Sequence, residues 1–222
     1  KSVYICQNCG TNSPKWMGKC SNCGAWNSFV EELVAPKSKA AAVVNAPKAM
    51  PQLLHEISSE TRPRLLTSDT ELNRVLGGGI VSGGLMLIGG EPGIGKSTLL
   101  LQVVLQTKGL RTLYVSGEES EQQLKMRADR IQQANSEVLV YAETSVEAIV
   151  QQIDQVKPHL LVIDSIQTLE TSLIESAAGS VSQIREATHV LQQYAKRHHL
   201  PIFIVGHITK EGTIAGPKLL EN

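Results

Sequence analysis

The chain has 222 residues, enough for one average domain and a small appendage. Its 21 basic and 21 acidic residues cancel, which excludes a histone-like basic protein and an acidic disordered tail. Hydrophobic residues make up 41% of the chain and aromatic residues only 4%, so we expect a globular, aliphatic core. No apolar run reaches the roughly 18–20 residues of a membrane span, and the N-terminus has no secretory pattern. We therefore expect a soluble, cytoplasmic protein without a membrane partner.

The four cysteines form two Cys-x2-Cys pairs near the N-terminus, and a glycine follows each pair. They are Cys6, Cys9, Cys20 and Cys23. This spacing predicts a closed, structural Zn²⁺ site, since each tight turn can aim two thiolates at one ion. A disulfide pair would need an oxidising compartment, and a thioredoxin-like motif would need a surrounding βαβ unit that this segment lacks. About 25 residues cannot fold on an apolar core alone, so metal binding should supply their folding free energy.

The composition divides the chain into three parts. Residues 1–33 are predicted to form a small zinc ribbon, residues 34–54 a flexible linker rich in Pro, Lys and Ala, and residues 55–222 the main domain. The first 50 residues hold six lysines and two acids, so this end is basic. Trp16, Met17 and Trp26 are predicted to form the miniature core of the ribbon, and a base-stacking platform is the alternative.

In the main domain, short apolar runs alternate with amphipathic stretches. A capping-box pattern at residues 68–71 predicts a first helix that ends at the glycines 77–79. Strands are predicted at 85–88, 112–115, 138–141, 160–163 and 201–205, and helices at 98–108, 119–133, 145–156 and 181–198. This alternation predicts an α/β fold with a mostly parallel sheet covered on both faces, and with its ligands at the carboxyl ends of the strands.

A phosphate-binding loop follows the first of these strands and opens the next helix, the context in which the pattern G-x-x-x-x-G-K-[ST] is credible. Its backbone N–H groups would curl round the phosphates of ATP or ADP. Lys96 would reach the β- and γ-phosphates, and the Ser97 hydroxyl would ligate Mg²⁺. The predicted nucleotide-binding residues are Gly90, Glu91, Pro92, Gly93, Ile94, Gly95, Lys96, Ser97, Thr98 and Asp164.

Three further polar residues follow predicted strands. Asp164 ends the strand at 160–163, as the Walker B position requires, and would hold Mg²⁺ with Ser97. Glu118, with Glu119 beside it, lies just past the strand at 112–115, where a carboxylate can polarise the attacking water. His207 ends the last strand, where a polar group could sense the γ-phosphate, although a strand-end histidine is more often structural.

Taken together, the cysteine pairs, the phosphate loop and three further segments, at 115–120, 163–168 and 206–217, resemble the bacterial RadA (Sms) family of RecA-like DNA repair ATPases. The resemblance implies a RecA-like P-loop NTPase core preceded by a zinc ribbon, with Zn²⁺, Mg²⁺ and ATP or ADP as cofactors. It also implies a DNA-stimulated helicase or translocase, related to the DnaB type, that drives branch migration with RecA. By motif position, Glu118 corresponds to the catalytic glutamate and His207 to the γ-phosphate sensor, and Lys96 completes the predicted catalytic set.

The resemblance also implies DNA-binding loops and a ring. Residues 208–216 and 170–180 correspond to the two loops, and the predicted DNA contacts are Lys210, Gly212, Thr213 and Gly216. A single copy with so few charges would bind DNA weakly. We therefore expect the full-length protein to be a homo-hexamer on single-stranded or branched DNA. The family's Lys-Asn-Arg-Phe-Gly motif and Lon-protease-like domain do not occur in these residues. We therefore expect a C-terminally truncated chain that binds nucleotide well and turns over poorly.

Two other functions fit part of the pattern. A RecA-like signalling ATPase or autokinase shares the Glu118-Glu119 pair, although the ribbon and the loop at 212–216 argue against it. A nucleotide-switched adaptor would dock a protein through its ribbon. Phosphate transfer to the protein itself would identify the first, and nucleotide-dependent DNA binding would favour the motor.

Overall fold

The computed structural model describes residues 2–33, 53, 55, 63–132 and 135–207, which form two separate β-sheets. The predicted linker at 34–54 lies outside these residues, apart from residue 53. The predicted DNA contacts Lys210, Gly212, Thr213 and Gly216 also lie outside them. The predicted domain boundaries stay predictions.

The first sheet has three short antiparallel strands and surrounds the cysteines. Its strands are β1 (Ser2–Cys6), β2 (Asn12–Ser13) and β3 (Phe29–Leu33), in the order β2-β1-β3. Cys6, Cys20 and Phe29 form its buried cluster, and Tyr4 and Met17 pack against them.

The predicted miniature core is wrong for both tryptophans. The side chain of Trp16 is 54% exposed and that of Trp26 is 71% exposed, whereas Met17 packs into the cluster as predicted. The cysteine cluster and one phenylalanine fill the small interior between the strands, so no space is left there for two indole rings.

The second sheet has five parallel strands with helices between them, which confirms the predicted α/β fold. In chain order the elements are α1 (Thr70–Val75), β4 (Leu85–Gly90), α2 (Lys96–Gln106), β5 (Thr112–Ser116), α3 (Glu121–Ile131), β6 (Val138–Ala142), α4 (Val146–Val156), β7 (Leu160–Asp164), α5 (Val181–His198) and β8 (Ile202–His207). The strand order is β4-β8-β7-β5-β6, and every pairing is parallel.

Side-chain caps correct the predicted starts of α1, α3 and α4. Helix α2, which has no side-chain cap, starts at residue 96 and not 98. Helix α3 starts at residue 121, not 119, because Ser120 and Gln123 form a reciprocal capping box. The cap of α1 is Asp69, whose carboxylate accepts from the Leu72 N–H, and not Ser68 as the pattern predicted. Helix α4 starts at residue 146, one later than predicted, because Ser145 is its cap, and it buries residues spaced three and four apart.

The core lies on both faces of the five-stranded sheet. On one face, apolar residues of α4 and α5, such as Ile149 and Leu191, pack against the strands. On the other face, residues of α2 and α3, such as Leu100 and Leu124, do the same. None of the helices in the described part is long and apolar enough to cross a membrane.

The register of the sheet brings its polar strand ends together at one edge. Gly90 pairs with His207, and Ser116 pairs with Asp164. Because all the strands are parallel, the carboxyl ends of β4, β8, β7 and β5 lie side by side. This edge is therefore the place to look for a ligand site.

The three-stranded sheet contacts the N-terminal end of helix α5. The Val181 N–H donates to Oε1 of Gln7 at 3.3 Å, and the Arg185 guanidinium donates to the Gly10 carbonyl at 3.4 Å. Gln7 and Gly10 belong to the first Cys-x2-Cys turn. That turn, and not the second, faces the helix.

The segment at 170–180, between β7 and α5, is held by the buried side chain of Gln183 and by the carboxylate of Glu147. The Gln183 side-chain oxygen accepts from the Thr171 N–H at 2.9 Å, and its amide nitrogen lies 3.0–3.3 Å from the carbonyl oxygens of Thr171, Ile174 and Ser176. Glu147 on α4 accepts from the Thr171 hydroxyl at 2.6 Å. The segment has little regular structure but many specific contacts.

Replacing Gln183 by leucine should release this segment while keeping the volume of the side chain. We expect Gln183→Leu to lower the free energy of unfolding by about 2–4 kcal/mol, because buried backbone groups lose their partners. Urea denaturation measures this loss, and amide exchange should speed up at residues 171–176.

Gln193→Leu on the same helix is the matched control, because Gln193 is exposed and bonds only with His189 among the residues described. It should leave both readouts near the parent values. Equal effects of the two substitutions would contradict the role given to Gln183.

Candidate functional site

The phosphate loop joins β4 to α2 at the polar edge of the sheet. Gly95 is the N-cap of α2 and offers no side-chain cap, so the first N–H groups of the helix point into the loop without a side-chain acceptor. Such an arrangement binds phosphate, because the free N–H groups and the helix dipole both favour an anion. Residues 91–95 are exposed and Thr98 is exposed on the first turn of α2.

Lys96 lies inside this loop and not on its surface. Its side chain is buried, and its ammonium donates to the carbonyls of Gly90 and Glu91, each at 2.8 Å. These bonds place the positive charge within the curve of the loop, where a phosphate group would lie.

Ser97 and Asp164 meet as the sequence predicts. The Ser97 hydroxyl donates to Oδ1 of Asp164 at 2.8 Å, and the carboxylate is only 3% exposed. A hydroxyl oxygen and a carboxylate oxygen are ligands that Mg²⁺ prefers, so the pair fits this ion. When bound here, Mg²⁺ would neutralise phosphate charge.

Tyr114, which the sequence analysis missed, holds the other oxygen of this carboxylate. The Tyr114 hydroxyl donates to Oδ2 of Asp164 at 2.7 Å and lies 3.3 Å from the Ser97 carbonyl oxygen. Burial, together with the nearby Asp164 charge, raises the pKa of Tyr114 well above its ordinary value, so the hydroxyl stays a donor. A tyrosine in a fully buried aliphatic strand was the available signal, because its hydroxyl needs a partner.

Arg127 on α3 is a second residue that the sequence did not reveal. Its guanidinium lies 2.8 Å from Glu119 Oε2 and 3.9 Å from Asp164 Oδ2. Arginine is common on helix surfaces, so nothing in the local pattern distinguished it. The contact ties Glu119 to α3 and adds a positive charge behind Asp164.

Glu118, the residue before, faces the other way and meets His207. Its Oε1 accepts from the Ser165 hydroxyl at 2.6 Å and lies 3.0 Å from His207 Nε2. Burial raises the pKa of Glu118, but the bonds from Ser165 and His207 and the charge of Lys96 outweigh it, and the pKa is lowered overall. Glu118 is therefore ionised at neutral pH and can accept a proton or orient a water molecule.

The four cysteines form a cluster whose dimensions suit zinc. Their sulfur atoms all lie within 4.8 Å of one another, with 3.7 Å between Cys6 and Cys23 and 3.6 Å between Cys9 and Cys20. Four thiolates at the usual Zn–S length of about 2.3 Å would stand about 3.8 Å apart in a tetrahedron. All four are free thiols, as a metal site requires and a disulfide does not.

The pKa of Cys9 favours its thiolate form. Burial alone would raise this pKa, but hydrogen bonds from Thr11 and other neighbours lower it to about 6. One ligand of the cluster is therefore deprotonated at neutral pH, whereas burial and the neighbouring thiols raise the pKa of Cys23 to about 11, so a metal must displace that proton.

The comparisons with known proteins agree with both parts of this description. Residues 52–213 match the family described as AAA domain, and residues 4–31 match the family described as rubredoxin metal binding domain. The chain belongs to the AAA domain family. Its N-terminal segment matches a metal-binding family over the four cysteines.

Close relatives are DNA repair proteins. The chain is 53% identical to DNA repair protein RadA of Bacillus subtilis over 100% of its length and 50% of that protein, and 54% identical to RadA of Listeria monocytogenes over 99% and 49%. The resemblance to the RadA family that the motifs predict is thereby confirmed. The chain spans about half the length of these curated relatives.

Solved structures confirm the RecA-like fold class at lower identity. A DnaB-like replicative helicase, solved in a study of its interactions with primase, aligns with a TM-score of 0.56 at 16% identity, over 71% of this chain and 47% of the helicase chain. A KaiC-like protein from Pyrococcus horikoshii aligns with a TM-score of 0.57 at 18% identity, over 71% and 76%. These likenesses show the fold.

Tyr114→Phe should weaken the metal site while leaving the strand intact. Without the hydroxyl, Asp164 is free to turn away from Ser97, so we expect the Mg²⁺ concentration for half-maximal nucleotide-dependent activity to rise about 10-fold or more. Nucleotide binding measured in EDTA should change little. Tyr194→Phe is the matched control. The Tyr194 hydroxyl on α5 also bonds a carboxylate, that of Asp154 on α4, but this pair is not part of the metal site. An unchanged Mg²⁺ requirement in Tyr114→Phe would refute the role.

Cys9→Ser should empty the zinc site and leave the nucleotide site working. We expect the bound zinc, measured by elemental analysis, to fall from about one ion per chain to near zero, because a serine hydroxyl is a poor fourth ligand. Nucleotide affinity should stay within about twofold. Undiminished zinc content in Cys9→Ser would contradict the four-thiolate site.

Proposed function

We propose that this protein is an ATP-hydrolysing, DNA-dependent motor of recombinational DNA repair. The observation that carries the hydrolysis is the position of Glu118, whose carboxylate is held by Ser165 and His207 beside the Ser97–Asp164 pair. The DNA repair role rests on the RadA proteins, which match the chain over its whole length.

The residues divide the work of phosphoryl transfer to water. Lys96 and the free N–H groups of the loop bind the phosphates and offset their charge. Ser97 and Asp164 hold Mg²⁺, with Tyr114 fixing the carboxylate. Glu118 orients and deprotonates the attacking water. We assign the γ-phosphate contact to His207, which is bonded to Glu118.

The finer assignments follow the RadA resemblance. We propose a cytoplasmic homo-hexamer that translocates on single-stranded or branched DNA and drives branch migration in partnership with RecA. Its DNA contacts would come from Lys210, Gly212, Thr213 and Gly216, and from the segment at 170–180. Sedimentation with nucleotide and DNA tests the ring, and branch-migration assays with and without RecA test the partnership.

Glu118→Gln should separate ATP binding from hydrolysis. We expect kcat for ATP hydrolysis to fall about 10²–10⁴-fold, since the amide cannot take a proton, while Mg²⁺–nucleotide binding persists. Glu119→Gln is the matched control, because Glu119 is paired with Arg127 whereas His207 bonds Glu118. Its kcat should fall far less. If kcat fell more in Glu119→Gln than in Glu118→Gln, Glu119 and not Glu118 would be the residue that activates the water.

Single-stranded DNA tests the motor part of the proposal. We expect DNA to raise the rate of ATP hydrolysis, and fluorescence anisotropy to show tighter DNA binding with a non-hydrolysable ATP analogue than with ADP. Lys96→Ala should lose both effects. If DNA left the rate of ATP hydrolysis unchanged and radioactive phosphate from labelled ATP appeared on the protein, the protein would be an autokinase and not a motor.

A further inference from the structure

Both tryptophans of the chain stand on the surface of the zinc ribbon, defined here as residues 2–33. The chain contains two tryptophans, Trp16 and Trp26, and their side chains are 54% and 71% exposed. Tryptophan is usually highly buried, so two such exposed rings on a unit of this size need an explanation. They do not hold the ribbon together, because its buried cluster is made of Cys6, Cys20 and Phe29.

The charges around these rings are positive. The Lys19 ammonium lies 5.3 Å from the centre of the Trp26 ring, a cation–π contact, and Lys19 and Trp26 face each other across an isolated bridge. Lys15, next to Trp16, is exposed. No acidic residue occurs before Glu31 in the sequence. The ribbon thus exposes two aromatic rings and two lysine side chains.

Among the described residues, neither tryptophan takes part in the hydrogen bonds between the ribbon and helix α5. These bonds use Gln7 and Gly10 of the first cysteine turn, which meet Val181 and Arg185. The second cysteine turn, residues 21–24, is exposed throughout. Trp26 lies two residues after this exposed turn and is itself 71% exposed, so its ring is accessible while the first turn contacts helix α5.

We propose that Lys15, Trp16, Lys19 and Trp26, the aromatic face, bind single-stranded nucleic acid. Bases have flat faces that stack on indole rings whatever their sequence, and phosphates pair with the ammonium groups. A protein partner could also use tryptophans, but exposed rings accompanied by ammonium groups suit a polyanion better. This contact is independent of the nucleotide site and of the loops proposed above to bind DNA.

Tryptophan fluorescence reports binding at the ribbon alone, because both tryptophans of this chain lie there. The zinc-loaded chain is titrated with oligothymidylate without nucleotide. We expect saturable quenching of tryptophan emission that weakens as salt is raised. An abasic deoxyribose-phosphate oligomer of equal length should quench much less, because it offers phosphates without bases to stack.

Substitutions separate base stacking on the tryptophans from phosphate contacts with the lysines. Trp26→Ala should weaken binding about 10-fold, followed through Trp16, and Trp26→Phe should restore most of it. Lys19→Gln should lower the slope of log affinity against log salt by about 0.7. Lys125→Gln on α3, an equally exposed lysine in an ion pair with Asp129, is the control and should change neither value. Zinc content checks that each ribbon is intact.

Three results would overturn the proposal. Oligothymidylate that binds by anisotropy without changing tryptophan emission would place DNA elsewhere on the protein and leave the motor proposal standing. Equal quenching by the abasic oligomer would remove the stacking. Quenching by a purified protein partner, with none by oligothymidylate at low salt, would make the aromatic face a protein-docking site.

Discussion

The buried carboxylate of Asp164 is the constraint around which the catalytic edge is organised. A charged group that is 3% exposed must find partners, and here the hydroxyls of Ser97 and Tyr114 each bond one of its oxygens. These residues come from three different elements, α2, β5 and β7. Their bonds fix the phosphate loop against the centre of the sheet. The Ser116–Asp164 register then places Glu118, two residues beyond the end of β5, next to Ser165.

Two consecutive glutamates have different environments, and this difference separates catalysis from support. Glu118 accepts bonds from Ser165 and lies against His207, and its side chain is 42% exposed, so it can meet a water molecule. Glu119 is paired with Arg127, which also approaches Asp164. Glu118 remains available for proton transfer because Glu119, and not Glu118, forms the ion pair with Arg127.

Sequence reasoning succeeded where the signal is local and failed where it depends on distant neighbours. The phosphate loop, the strand before it and the four cysteines are defined by spacing over a few residues, and parallel pairing then gathers the strand ends. Tyr114 and Arg127 owe their roles to Asp164, 50 residues from the first of them, and no local pattern encodes that contact. The tryptophans were misplaced because large apolar residues usually build a core, whereas a metal cluster already fills this one.

The glycines that follow the two cysteine pairs look equivalent in the sequence but have different surroundings. Both have positive φ, +72° at Gly10 and +76° at Gly24, as the tight turns require. A Cβ at Gly10 would stand 2.2 Å from the Arg185 guanidinium and 3.2 Å from Val181, whereas at Gly24 the nearest atom is 3.9 Å away on Lys19. The two halves of the ribbon each supply two cysteines, but they are not interchangeable, because only the first is fitted against α5. A chimera that exchanged them, or grafted a ribbon from another protein, would keep its attachment to α5 only with glycine and glutamine in the places of Gly10 and Gln7.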